Sequence, residues 1–265
     1  MRRIRKELVR LGLDWDAPPY PDAGLTDLSP LEVIVNSGPA GLIRTRTERG
    51  NAHAENARWD EAAAEYAALV QLQPDDHLLW YRYACLCLQR GDVERHRRCC
   101  VALLERFAGT ADASIAHRVA LACVLRPGAV SDLKIPTQLA ERGVAGAPRD
   151  GWHLLTLGAA HYRAGRHAEA INRLREALKA ARANPDGYRY ASILSRLFLA
   201  MAYHSAGQTE GAREWLDQAV QVIDLDLPRA GRVPLGYSWH DWIMCQVIRR
   251  EAEALIGGQS KKPKK

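Results

Sequence analysis

No window of this 265-residue sequence approaches 18 uninterrupted apolar residues, which argues against a membrane-spanning helix. The start, Met1-Arg-Arg-Ile-Arg-Lys6, is basic but lacks a following apolar stretch and a small-residue cleavage site. No secretory signal is therefore expected, and the reading is cytoplasmic. Aromatics are scarce at 7%, with two Phe beside seven Trp and nine Tyr. Six cysteines occur, Cys85, Cys87, Cys99, Cys100, Cys123 and Cys245, yet no Cys-x-x-Cys pair. Zinc sites usually draw two ligands from each of two such turns. With His96 nearby, Cys85, Cys87, Cys99 and Cys100 form the one cluster dense enough to consider for metal. The expectation is instead small core residues of a reduced protein, with no metal and no cofactor.

Catalytic signatures are missing as well. There is no Gly-x-Ser-x-Gly elbow, no Walker loop, no His-Glu-x-x-His helix and no kinase glycine loop or Asp-Phe-Gly triplet. His240 and Asp241 are helix neighbours and are not expected to face each other. Glu61 and Glu65, one turn apart, read as a solvated helix face. An enzyme is not expected, nor a small-molecule substrate.

The net charge is +6, from 37 basic and 31 acidic residues. Without Lys261, Lys262, Lys264 and Lys265 the balance is 33 to 31, so most of the excess lies in a tail read as disordered. A body near neutrality is a poor phosphate-binding surface, which disfavours nucleic acid as a partner.

Hydrophobic residues make up 47% of the chain, and Ala-rich runs such as Glu61-Ala-Ala-Ala-Glu-Tyr-Ala-Ala-Leu69 have strong helix propensity. The chain also repeats itself. Leu157-Gly-Ala-Ala-His-Tyr-Arg-Ala-Gly165 and Leu199-Ala-Met-Ala-Tyr-His-Ser-Ala-Gly207 share one frame, which also falls on Tyr83-Ala84, Cys87 and Gly91 and on Gly50, His53 and Ala62. Small-residue markers at Gly50, Ala84, Ala120, Gly158 and Ala200 are spaced by 34, 36, 38 and 42 residues. A small residue on each first helix lets the second helix cross closely. Ala62, Ala170 and Ala212 are its counterparts, each followed one turn later by Tyr66, Leu174 or Leu216. Gly91, Gly165 and Gly207 fall in the turn, where a left-handed backbone is needed. Pro74, Pro148, Pro185 and Pro228 stop the second helices.

Over residues 43 to 227 this frame resembles the tetratricopeptide repeat (TPR) family, with Trp59-Asp-Glu-Ala62 and His167-Ala-Glu-Ala170 matching its second-helix opening. The resemblance implies an all-α fold, an α-solenoid of about five helix pairs. Arg46 and Arg49 depart from it where the first unit should be apolar. His96 departs in the second unit, and Pro136 in the third, whose second helix must start late. Residues 1–42 are read as an N-terminal helix (Ile4, Leu8, Leu11) and a Pro-rich segment, with Leu31 to Val35 a strand or extended strip. Residues 238–257 are read as a capping helix with Arg249, Arg250, Glu251 and Glu253 outward, and 258–265 as the basic tail.

Arg3 to Leu8, Leu11 to Pro21 and the stretch from Trp239 are similar to the TPR tail of large bacterial Ser/Thr-kinase/WD-repeat proteins. That likeness implies a signalling context without the kinase itself. The TPR resemblance implies a scaffold that binds a protein or peptide partner in its concave groove, through Tyr81, Arg82, Trp152, Leu155, Tyr162, Leu197 and Met201. Asn51 matches one place of the family's carboxylate clamp, but Thr47 stands where a Lys is expected, so an apolar or mixed ligand is favoured. The competing reading is a regulatory nucleic-acid binder using Arg2 to Arg10 and the Lys tail.

Overall fold

The structure, a computed structural model, describes residues 29–257. Among these residues there are eleven helices and no strand. The helices are α1 (Ser29–Glu55), α2 (Trp59–Leu72), α3 (His77–Gln89), α4 (Val93–Phe107), α5 (Ala113–Val124), α6 (Lys134–Gly146), α7 (Gly151–Arg163), α8 (His167–Ala183), α9 (Arg189–Ser205), α10 (Thr209–Asp226) and α11 (Trp239–Gly257). They stack as five antiparallel pairs, α1–α2 through α9–α10, each pair packed on the next, followed by α11. The fold is an all-α, TPR-like solenoid. None of these helices is long and apolar enough to cross a membrane.

The repeat frame maps onto the pairs. All five markers are buried, and Gly50 and Gly158 show why they are small. A Cβ on Gly158 would lie 2.6 Å from Leu174 Cγ, and one on Gly50 would lie 3.1 Å from the Tyr66 ring. Each helix that precedes Pro74, Pro148, Pro185 or Pro228 ends two residues before it. Gly91, Gly165 and Gly207 turn the chain at φ 73°, 75° and 77°, and Ala57 takes the same place in the first pair at φ 58°. In all four turns a backbone N–H reaches back 2.9 Å to a carbonyl five residues earlier: Arg58 to His53, Asp92 to Cys87, Arg166 to His161 and Gln208 to Tyr203. The third pair is joined by a longer connection, and α6 does start late. Pro136 sits in its first turn, where a backbone N–H would have no helical partner.

Four readings are corrected. Leu31 to Val35 is neither strand nor extended strip; it is the start of α1, which bends at Gly38 (φ 64°). Glu65 is not on a solvated face. It is buried between Arg46 (2.7 Å) and Arg49 (2.6 Å), so those two departures from the repeat pattern are the partners that make a buried carboxylate tolerable. His240 and Asp241 do approach, with Nε2 3.4 Å from Oδ1, because they lie in the first turn of α11 and both turn inward. Glu251 does not face outward; Arg163 draws it in. The segments 2–11 and 258–265, and the Pro-rich stretch 14–21, lie outside the described residues.

Candidate partner-binding channel

The first helices α1, α3, α5, α7 and α9 line the concave side of the solenoid, and the next-repeat position after α10 is where a capping helix would be expected. α11 touches α10, but it packs more extensively on α9 and also crosses to α3. It therefore joins the last pair to the second across the hollow of the array. Its sequence explains this placement. Trp239, Trp242, Ile243, Met244, Cys245, Ile248, Ala252 and Ile256 are all buried, an apolar arc wider than a one-sided cap needs.

The contacts along α11 read as a register. Trp239 is fully buried; its indole N–H donates to Asn51 Oδ1 (3.1 Å) and its ring meets Tyr66 edge-on at 5.6 Å. Trp242 stacks on Trp59 at 6.0 Å, and its N–H donates to the Pro228 carbonyl (2.9 Å). The Tyr81 hydroxyl donates to Met244 Sδ (3.2 Å), and its ring meets His240 edge-on. Further along, the Arg163 guanidinium forms two bonds to the Glu251 carboxylate, one of 2.7 Å. The same guanidinium donates to the Val124 and Leu125 carbonyls (2.8 and 3.3 Å), where α5 ends and its dipole is negative.

Of the expected partner-binding residues, Tyr81, Arg82, Leu155, Leu197 and Met201 are buried. Arg82 stacks on the Tyr237 ring (4.8 Å) just before α11. Trp152 and Tyr162 remain half-buried, Tyr162 packing edge-on against Phe198 at 5.9 Å. The structure thus brings Tyr81 and Arg82 together beneath α11 and leaves Trp152 and Tyr162 partly reachable. Asn51 is marked for this surface by the repeat frame; Trp59, Arg163 and the two indoles of α11 are not. The one signal for them is the two-sided apolar character of residues 239–248.

Burial governs the titratable groups here. Asp241 is pushed up to about 7 by loss of hydration, with Arg82 and Arg118 opposing. His240 is lowered to about 3 by the same burial, so it is neutral. Tyr81, Cys85 and Cys245 are also raised by burial. Such thiols are protonated and poor nucleophiles. All six cysteines are free and buried, and the described residues hold no group of three or more His, Cys, Asp or Glu side chains placed around one metal ion. His96, fully buried, packs against Cys100 with a ring nitrogen 3.6 Å from Sγ.

Residues 47–96 and 150–223 match tetratricopeptide repeat family descriptions. The first matched stretch runs from the last third of α1 through α2 and α3 to the start of α4, and the second covers the last two pairs almost entirely; most of α4 and the third pair, with its long connection, lie between them. No curated protein matches the chain in sequence. Among solved structures, a thermophilic TPR protein of Thermus thermophilus is similar at 18% identity and TM-score 0.49, over 69% of this chain and 93% of that one. MamA from Desulfovibrio magneticus RS-1 is similar at 14% identity and TM-score 0.44, over 69% and 96%. MamA MSR-1 is similar at 18% and 0.43, over 69% and 97%.

Proposed function

We propose that this chain is a non-catalytic protein–protein interaction scaffold that holds a helix or peptide of a partner protein along its concave channel. The observation that carries the reading is α11 itself: the channel side chains of α1, α3, α7 and α9 already engage an amphipathic helix by indole, thioether and ion-pair contacts. A surface that accepts one helix in this way has the chemistry of helix-in-groove recognition. Trp152 and Tyr162 are the aromatic anchors proposed to meet the partner, with Tyr81, Arg82, Leu155, Leu197 and Met201 forming the wall behind them. The setting proposed is the bacterial cytoplasm, as a relative of the TPR tails of large Ser/Thr-kinase/WD-repeat proteins.

The test is protein capture by the immobilised full-length chain from lysate of the source cell. One retained protein is expected to be lost on Trp152→Ala combined with Tyr162→Ala, with helicity by circular dichroism unchanged. Equal retention by the double variant places the binding surface elsewhere.

A further inference from the structure

Interior polar groups in this fold are mostly well matched, as Glu65 shows. Two of the exceptions, Arg82 Nε and His240 Nδ1, lie where α11 meets the channel. The half-buried Asp241 carboxylate has only His240 and Ser238 at short range on its own segment. His240 Nδ1 and Arg82 Nε are both buried without a hydrogen-bond partner. Facing this cluster are Tyr81, Arg82 and Cys85 of α3, Tyr190 at the start of α9 and Cys245 of α11, with Arg118 of α5 at longer range. None of them pairs directly with the carboxylate. A buried polar group without its partner weakens the packing that buries it.

Two further observations concern the same helix. The seam between α10 and α11 is open, with a cavity of about 370 Å³ lined by Ile223, Leu227, Pro228, Trp242, Gln246 and Arg249. Residues 227–238 joining the two helices contain no helix, and Val233 and Tyr237 there are exposed. Once Leu227 and Leu235 leave their buried seats and the Leu235 N–H releases the Glu55 carbonyl, such a tether spans up to roughly 40 Å when extended, enough for α11 to leave while still attached.

We propose that α11 is an exchangeable occupant of the channel, displaced by a partner helix carrying the same pattern: two indoles one turn apart, an aliphatic ridge, and an acid nine residues beyond the second indole to meet Arg163. The inference rests on the channel being the partner site. A separate partner rather than a permanent core helix is indicated by the unpartnered Arg82 and His240 nitrogens at this face and by the open seam beside it. Asn51, Tyr81, Gln89 and Arg163 each offer α11 a directional polar contact, which specifies a register that apolar packing alone would leave free. Arg163, 6% exposed at its side chain, requires an acidic group in the channel whichever helix supplies it.

The sign of the pH dependence follows. Docking raises Asp241 above the usual carboxylate range, so the docked helix takes up a proton. Its hold is strongest in acid and weakens as pH rises toward about 7, by up to about tenfold per unit.

The experiment uses the full chain and, as probe, a fluorescent peptide of residues 238–257 carrying Asp241→Asn, whose own binding does not consume that proton. The wild-type chain is expected to bind the peptide about tenfold or more tightly at about pH 7.5 than at about pH 5.5. In the Asp241→Asn chain, whose attached helix no longer carries the carboxylate, binding is expected to be weaker at about pH 7.5 and flat with pH. Trp239→Ala with Glu251→Ala in the chain, loosening the attached helix, is expected to bind at least about tenfold more tightly than wild type.

Absence of peptide binding to the loosened chain, or its failure to unfold cooperatively, shows that α11 is fixed core and overturns the proposal. A dimer that the peptide dissolves assigns the channel to a second copy and overturns the separate partner. Exchange without any loss of protein capture in the Trp152/Tyr162 variant fails the scaffold reading alone. Lost capture without exchange fails this inference alone.

Discussion

Single residues in this fold are constrained by where two helices or a turn leave no room. Ala57 occupies a left-handed turn position that Gly91, Gly165 and Gly207 fill in the other pairs. A non-glycine residue there costs about 1 to 2 kcal/mol. Ala57→Gly is expected to stabilise the protein by about 1 kcal/mol, read as a higher denaturant midpoint at unchanged slope. Gly158→Leu forces carbon into Leu174, already 2.6 Å from where a Cβ would be. A loss of about 3 kcal/mol or more is expected; a melting temperature within a degree of the parent would show that the α7–α8 crossing is wrong. Glu65→Ala strands Arg46 and Arg49 and is expected to cost about 3 kcal/mol, whereas Glu61→Ala, on the exposed side, is expected to cost under about 0.5. The burial of Glu65 is not legible in the sequence. Its partners lie 16 and 19 residues away on another helix, and Arg46 and Arg49 look like faults in the pattern until that helix is placed.

At the scale of the helix, the boundaries are written locally and can be read. Small residues at the crossings, glycine at the turns and proline two residues past the second helices carry their reasons within a single unit. Asp76, Asp92, Asp112 and Asp150 add caps by accepting bonds from the backbone N–H groups of α3, α4, α5 and α7. Asp150 does more: its second oxygen also accepts from the Tyr188 hydroxyl at 3.1 Å, tying α7 to the linker before α9. Asp150→Ala is expected to cost about 1 to 2 kcal/mol, and Asp150→Asn, which keeps a cap, about half of that. The start of α1 reads as strand because Val33, Ile34 and Val35 are β-branched and apolar, while the helix they feed supplies the context that wins. The candidate site divides along the same line. Repeat arithmetic alone places Tyr81 and Arg82 on the concave side, but nothing local says which side chain will lie against them.

For the whole molecule, α11 changes what kind of array this is. A solenoid unfolds by nearest-neighbour steps, with end units the least protected. Here the last helix contacts residues 163 to 188 positions earlier, through Tyr81 and Asn51, so the first pairs are held by the end of the chain. Trp239→Ala is expected to raise amide hydrogen exchange in α1 and α2 about as much as in α11 itself, while α6 to α8 change little. Exchange confined to α11 would show that the hollow is filled but not bridged.

The bond between Trp239 and Asn51 also has a consequence for synthesis. Domains form from their N-terminal side as the polypeptide emerges. The first pair is complete by residue 72, yet the indole that seats on it arrives more than 160 residues later. For that interval the nascent protein carries an open, aromatic-lined hollow that a partner helix reaches without displacing anything.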